Sequence, residues 1–71
     1  MIKNNLESIR LQMGADLGRE ITQKEFAKRI KAGQAQYNRW ARQDGQPSLD
    51  RALQICAILK MPVEKVFYIS E

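Results

Sequence analysis

Two short amphipathic patterns on either side of a three-residue interruption constrain this chain more than any other feature. Their apolar residues recur at helical spacing: Phe26, Ala27, Ile30, Tyr37, Trp40 and Ala41. Thr22 is a favourable N-cap for the first pattern, and Glu25 stands three residues later in the capping-box position. The interruption at residues 31–33 lets the two apolar stripes face each other. We therefore predict two short helices joined by a tight turn over residues 22–43, within one domain covering residues 1–71.

The composition excludes several classes of protein. With 71 residues the chain makes one domain with a small core, and its 44% apolar content is ordinary for a globular fold. The absence of histidine excludes a histidine-based metal site or catalytic triad, and a single cysteine forms no internal disulfide. No apolar run approaches the roughly 20 residues of a membrane helix, and the N-terminus has no signal-peptide core. We expect a cytoplasmic protein with no membrane partner, metal or cofactor.

The positive charge is concentrated in and beside the two central helices. Residues 19–42 contain seven basic and two acidic residues, a net charge of +5, whereas the rest of the chain carries a net charge of −1. A basic stretch can simply be a solvated helix face. Its coincidence with an amphipathic helix pair favours an anionic partner instead, and nucleic acid is the commonest one.

The second helix of the pair has a polar face opposite its apolar stripe. This face carries amide and guanidinium groups together with one methyl group: Gln34, Ala35, Asn38, Arg39 and Arg42. A helix that buries one stripe and presents amides and arginines on the other side is suited to the major groove of double-stranded DNA.

A further helix is predicted before this pair. Asn4 can cap it, and Gly14 is expected to end it. Its inner stripe consists of Leu6, Ile9 and Met13. Residues 14–21 have two interpretations, a surface loop or a longer first helix followed by a turn. Arg10 is either a surface charge or a side chain that reaches inward to a carboxylate.

Two helices are predicted after the pair. Ser48 caps the fourth helix, whose apolar residues cover a wide arc and suggest the central core helix. Its main stripe consists of Leu49, Ala52, Leu53, Cys56 and Leu59, with Ile55 and Ile58 lying off it. Pro62 begins a short fifth helix, and the tail after it favours a β-strand.

The succession of five short helices resembles the phage repressor and Cro family of helix-turn-helix regulators. The motifs that carry the resemblance are Gln23 and Ala27 in the first helix of the pair, the Pro47-Ser48-Leu49 segment and residues 62–67. The resemblance implies an all-α, lambda-repressor-like fold with the helix-turn-helix as its second and third helices. Residues 1–6 and 67–69 are similar to a compact subgroup in which the termini pair as a small two-stranded sheet.

The turn departs from the family pattern. Lys31 replaces the usual turn glycine, and Gly33 replaces the usual serine or threonine cap of the third helix. Either Lys31 is left-handed, at a cost of about 1–2 kcal/mol, or Gly33 takes the unusual dihedral. Ala41 stands where many members have glutamate, so we expect no buried pair between this position and Arg10.

The resemblance also implies roles for individual residues. We predict that Gln34, Ala35, Gln36, Asn38 and Arg39 read DNA bases. Phosphate contacts are expected from Gln23, Lys24 and Arg42. Tyr37 and Trp40 are expected to be core residues, because they share the buried stripe.

The function expected from this resemblance is a sequence-specific transcriptional regulator, most simply a repressor that binds a palindromic operator as a homodimer. The predicted dimer interface contains Val63, Val66, Phe67 and Ile69. An antitoxin-type protein-interaction module that also binds DNA is the alternative. An enzyme is not expected, because the chain has neither paired carboxylates nor a phosphate-binding glycine loop, and no small-molecule ligand is apparent.

Overall fold

The computed structural model describes residues 1–71 and contains five helices and two strands. In chain order these are β1 (Ile2–Asn4), α1 (Leu6–Leu17), α2 (Gln23–Arg29), α3 (Gln34–Ala41), α4 (Leu49–Leu59), α5 (Val63–Val66) and β2 (Phe67–Ile69). The predicted five-helix fold, with α2 and α3 as the helix-turn-helix, is confirmed. None of these helices combines the length and apolarity that a membrane crossing requires.

The two terminal strands form a small antiparallel sheet, as the resemblance implied. Ile2 pairs with Ile69, Lys3 with Tyr68 and Asn4 with Phe67. Beyond the strands, Ser70 N–H donates to Met1 O at 2.8 Å and Asn5 N–H donates to Val66 O at 2.8 Å. The sheet therefore fastens the two ends of the chain to each other and to the first turn of α1.

One apolar core joins all five helices. Its buried members are Leu6, Ile21, Phe26, Ala27, Ile30, Tyr37, Trp40, Ile55, Cys56 and Val66. Phe26 and Tyr37 meet edge to face, with ring centroids 5.6 Å apart. The prediction that Tyr37 and Trp40 are core residues is confirmed, since they are 0% and 5% exposed.

The first helix continues past the point where its end was predicted. Gly14 lies inside α1, which ends at Leu17 with Gly18 in the left-handed conformation at φ 71°. The interpretation of a longer first helix followed by a turn is therefore confirmed. Gly14 is buried because the chain folds back over it, and a Cβ atom built on it would lie 2.8 Å from Arg19 O. Its role is to allow this close approach.

The caps predicted for α2 and α4 are both present. Thr22 Oγ1 accepts from Glu25 N–H at 3.1 Å, and Ser48 Oγ accepts from Arg51 N–H at 3.3 Å. At α1 the cap position is occupied by Asn5, while the Asn4 Oδ1 atom accepts from Leu6 N–H at 3.0 Å.

The buried face of α4 differs from the predicted stripe. Ile55, which was predicted to lie off the stripe, is buried together with Ala52 and Cys56, whereas Leu49 and Leu53 are 72% and 51% exposed. The apolar arc of α4 is wider than the surface that the other helices can cover. The arc therefore divides into a buried face and an exposed apolar flank.

Replacing Gly14 by alanine tests the close approach of residue 19 to α1. We expect Gly14→Ala to lower the free energy of unfolding by about 1–3 kcal/mol, because the new Cβ atom forces the Arg19 backbone to move. Urea denaturation measures the effect. Ser8→Ala, at an exposed position of the same helix, is the control and should change stability by less than about 0.5 kcal/mol. Equal effects of the two substitutions would contradict the packing role of Gly14.

Candidate nucleic-acid interface

The turn between α2 and α3 adopts the first of the two predicted forms. Lys31 is left-handed at φ 59°, whereas Gly33 is extended at φ −70° and ψ 149° and occupies the N-cap of α3. Ala32 N–H donates to Ala27 O at 2.9 Å, which closes the end of α2. The Arg51 guanidinium of α4 donates to Lys31 O. The Arg51 side chain of α4 therefore holds the backbone of Lys31 in its left-handed conformation.

The first turn of α3 presents its side chains to solvent. Gln34, Ala35 and Gln36 are all exposed, while Tyr37 immediately after them is fully buried. Because Tyr37 and Trp40 fix the rotation of the helix, these three side chains project away from the protein together. Three of the predicted base-reading residues are thus brought onto one accessible surface.

The remaining two predicted base readers differ from this group. Asn38 is half-buried, and its Oδ1 atom is buried without a hydrogen-bond partner. Arg39 is exposed, but its guanidinium turns toward the loop after α3, where Nη2 lies 3.5 Å from Asp44 O. The structure therefore places Arg39 toward the C-terminal end of α3, away from Gln34.

The helix α3 also ends earlier than predicted. Its last residue is Ala41, Arg42 is the C-cap, and Gln43 is left-handed at φ 63°. Arg42 Nε lies 3.0 Å from Asp44 Oδ2, in an ion pair whose side chains are 64% and 60% exposed. The helix stops because residues 42–44 turn back toward its own last carbonyl groups, with Asp44 N–H donating to Arg39 O at 2.9 Å.

Two lysines of α2 lie beside the start of α3. Lys24 and Lys28 line an open cleft of about 210 Å³ together with Ala27, Ala32 and Gln34. Both lysines are exposed. The predicted phosphate contact Lys24 and the predicted base reader Gln34 therefore share one surface. Lys28 belongs to the same surface.

The family of this chain is identified from the share of its residues that a family model matches. A helix-turn-helix family model matches residues 17–66, more than two thirds of the chain. The chain belongs to the Cro/C1-type helix-turn-helix family. No curated protein gives a significant match. The family assignment makes the chain a DNA-binding transcriptional regulator, with α2 and α3 as its helix-turn-helix.

In this Cro/C1-type domain, Glu7 of α1 connects the core to both helices of the interface. Its carboxylate accepts from the Tyr37 hydroxyl of α3 and from Gln23 Nε2 of α2 at 3.0 Å. Arg10 Nε and Nη2 donate to the same carboxylate at 3.0 and 2.9 Å. Arg10 Nη1 donates to Ile21 O at 2.7 Å. Arg10 thus reaches inward, and its partner is Glu7 because position 41 supplies only a methyl group.

This network changes the interpretation of Gln23. One amide N–H of its side chain is committed to Glu7, so the side chain is held against α1. Its second amide N–H remains available to a phosphate oxygen, because a glutamine amide has two donors. No local pattern indicated this contact, since Glu7 and Gln23 lie 16 residues apart.

The pKa values of Glu7 and Tyr37 in this network are strongly shifted. Hydrogen bonds from Arg10 are the largest cause that lowers the pKa of Glu7 to about 2, against an opposing effect of burial. Burial, and then the neighbouring Glu7 carboxylate, raises the pKa of the Tyr37 hydroxyl. At neutral pH the carboxylate is therefore charged and the phenol is protonated, which is the state that the hydrogen bond between them requires.

A second polar network, which the sequence did not reveal, fixes the end of α3. The Gln43 side-chain amide pairs with the backbone of Asn4, accepting from its N–H at 3.1 Å and donating to its C=O at 3.0 Å. The buried Asn4 amide donates to Trp40 O at 2.9 Å and to Gln46 Oε1 at 2.8 Å. These groups lie 36 to 42 residues apart in sequence, so no local pattern could have indicated them.

The residues predicted for the dimer interface are not all accessible. Val63 is 41% exposed and Ile69 is 78% exposed, and Phe67 is half-buried. Val66 is fully buried in the core of its own protomer, which removes it from the predicted interface. The spacing within α5 could not distinguish the two valines, because a four-residue helix has no clear periodicity. No group of three or more cysteine, aspartate or glutamate side chains is placed to hold a metal ion.

Replacing Lys31 by glycine tests the strain in the turn. We expect Lys31→Gly to raise the free energy of unfolding by about 1 kcal/mol, because glycine removes the steric cost of φ 59° but increases the entropy of the unfolded chain. Urea denaturation measures this change. Lys28→Gly, in the last turn of α2, is the matched control and should lower stability by up to about 1 kcal/mol. A loss of stability in both variants would contradict the strained turn.

Acid titration tests the Glu7 network. Because the pKa of Glu7 is lowered to about 2 from 4.5, its contribution is fully present above about pH 4.5 and is lost as the pH falls toward 2. We expect Glu7→Gln to be less stable than the wild type at pH 7 and to lose less stability between pH 4.5 and 2. Unfolding in urea at several pH values measures both effects.

The control for this titration is Glu25→Gln. The pKa of Glu25 is also lowered to about 2, chiefly by Arg19, but this carboxylate lies at the surface, where solvent weakens its ion pairs. Its substitution should alter the acid dependence less than Glu7→Gln does. An unchanged acid profile in Glu7→Gln would contradict the role given to the network.

Proposed function

We propose that this protein is a repressor that binds a palindromic DNA operator as a homodimer and inserts the start of α3 into the major groove. The observation that carries the proposal is the joint exposure of Gln34, Ala35 and Gln36, held outward by the buried Tyr37 and Trp40. Occupation of promoter DNA by such a dimer excludes polymerase without any catalytic step.

Each side chain at the start of α3 suits a particular base edge. The Gln34 amide can accept from adenine N6 and donate to adenine N7. The Ala35 methyl group suits contact with the thymine C5-methyl group, and Gln36 adds a further amide. Asn38 lies at the margin, and rotation of its side chain toward the groove would give its unpartnered oxygen a donor.

Arg39 is proposed to read guanine through its O6 and N7 atoms, for which a guanidinium gives bidentate hydrogen bonds. In the free protein its only side-chain hydrogen bond is the 3.5 Å approach to Asp44 O, which is too long to hold the side chain firmly. Arg39 can therefore swing from the loop to the groove at little cost.

Phosphate contacts are proposed for Gln23, Lys24 and Arg42 on both sides of α3. The exposed ion pair of Arg42 with Asp44 is worth little in water, so a phosphate can replace the carboxylate. Such contacts fix the register of the protein on DNA and make its affinity fall as salt increases.

A dimer is proposed because one short helix reads only a few base pairs. Two copies related by a two-fold axis read two half-sites about one helical turn apart, which multiplies specificity. The proposed interface residues are Val63, Phe67 and Ile69. Val66 is left out because it is buried in its own protomer.

The alternative of an antitoxin-type module that also binds DNA has one supporting observation, the exposed apolar flank of α4 formed by Leu49 and Leu53. This flank suits a protein partner. Co-purification of a second protein in stoichiometric amount from the native host would favour this alternative over a simple repressor.

Selection of bound duplexes from a random pool would define the operator, and Arg39→Ala then tests the reading residue. We expect this variant to bind the selected operator about 5- to 150-fold more weakly, a loss of about 1–3 kcal/mol, and to accept other bases at one position of each half-site. Fluorescence anisotropy at fixed salt measures both.

Two matched variants complete this experiment. Lys24→Ala should weaken operator and random duplex alike, because a phosphate contact carries no sequence information. Arg29→Ala, an exposed arginine that pairs with Glu25 on α2, should change binding little. If Arg39→Ala leaves both specific and non-specific binding unchanged, Arg39 does not read a base.

A further inference from the structure

We propose that two copies of this protein pair through the outer edge of β2, so that their terminal sheets join into one four-stranded antiparallel sheet centred on Ile69. The inference rests on the proposed dimer and names the surface that forms it. The backbone hydrogen bonds of the terminal sheet leave one edge of β2 without partners.

The bonds between β1 and β2 occupy alternate residues. Ser70 N–H donates to Met1 O at 2.8 Å, the N-terminal amine donates to Ser70 O at 3.3 Å, and Asn5 N–H donates to Val66 O at 2.8 Å. In an antiparallel ladder the bonded pairs alternate with pairs whose backbone groups point outward. The outward-pointing pairs here are Ile2 with Ile69 and Asn4 with Phe67.

The protein itself covers the outer edge of β1. The Gln43 amide bonds to both the N–H and the C=O of Asn4, as an additional strand would. Residues 43–46 continue beside Met1 and Ile2 and line a cleft with them. A second chain could not approach this edge without displacing the loop.

The outer edge of β2 has no such cover. Phe67 N–H donates to Val63 O, but the C=O of Phe67 and both polar backbone groups of Ile69 have no partner within the chain. The Ile69 side chain is 78% exposed. One donor and one acceptor therefore stand side by side at an accessible residue.

The occupant that matches this edge is a second copy of the same strand. When two copies of β2 run antiparallel about a two-fold axis through Ile69, the N–H and C=O of each Ile69 meet the C=O and N–H of the other. The same self-complementarity is required of the interface in a symmetric dimer that reads a palindrome.

Apolar side chains beside this edge add to the pairing. Ile2 is 55% exposed and is the cross-strand neighbour of Ile69 on the same face of the sheet, and Val63 is 41% exposed at the start of α5. A three-residue strand offers few hydrogen bonds, so burial of these side chains would supply much of the affinity.

A pair of substitutions at position 69 tests this proposal. Ile69→Pro removes the N–H at the proposed axis without removing a bond of the β1–β2 ladder, because this group points outward. Ile69→Val is the matched control, since it keeps the N–H and most of the apolar side chain. In sedimentation equilibrium we expect the wild type and Ile69→Val to dimerise with similar dissociation constants, and Ile69→Pro to have a dimer dissociation constant at least about tenfold higher. Circular dichroism confirms that each variant is folded.

A cysteine at the proposed axis gives an independent test. Opposed residues of a bonded antiparallel pair have Cα atoms about 5.5 Å apart, within the range that a disulfide can bridge. In a Cys56→Ala background, Ile69→Cys should form a disulfide-linked dimer on mild oxidation. Lys60→Cys, exposed at the end of α4, is the control and should remain monomeric on a denaturing gel.

The outcomes separate this inference from the proposed function. If Ile69→Pro dimerises like the wild type and Ile69→Cys does not cross-link, the β2 edge is wrong but a dimeric repressor stands. If the wild type is monomeric both alone and on its selected operator, both the inference and the dimer are overturned. Base reading by α3 is tested separately, because Arg39→Ala reports on it in either oligomeric state.

Discussion

The candidate nucleic-acid interface depends on the burial of Tyr37 between α1 and α2, where its hydroxyl meets the Glu7 carboxylate. Its ring packs edge to face on Phe26, and its hydroxyl donates to the Glu7 carboxylate. These two contacts set the rotation and the position of α3 together. A phenylalanine at position 37 could supply the packing but would leave Glu7 with one fewer donor. The exposure of Gln34 and Ala35 is a consequence of how Tyr37 is held.

Two polar networks position α3, one at each part of the helix. Glu7 connects the start of α2 and the middle of α3 to α1, while the amides of Asn4 and Gln43 fasten the end of α3 to the terminal sheet. Both networks are nearly saturated with hydrogen bonds. The arginines that face solvent are held loosely in comparison, by one long contact and one exposed ion pair. The helix is thus rigid where it is anchored, and its side chains are adaptable at the two arginines proposed to contact DNA.

Local patterns predicted the helix pair well because capping and helical periodicity act over three or four residues. Thr22 and Ser48 cap the helices that they were expected to cap, and the apolar stripe of α3 is buried. The same reasoning was wrong at Gly14, Leu49 and Val66. The reason is common to the three: burial there depends on which segment, distant in the sequence, lies opposite, and not on the spacing of the residues themselves.

The sequence by itself determined the helix-turn-helix, the family, the concentration of positive charge and the exposure of Gln34 and Ala35 on α3, because these follow from periodicity, composition and short motifs. Only the tertiary structure decided that Lys31 is left-handed, that Arg10 pairs with Glu7, that Gln43 covers one edge of the terminal sheet, and that β2 keeps its other edge open. Each of these depends on groups far apart in the chain, and their distances are fixed only when the core has formed.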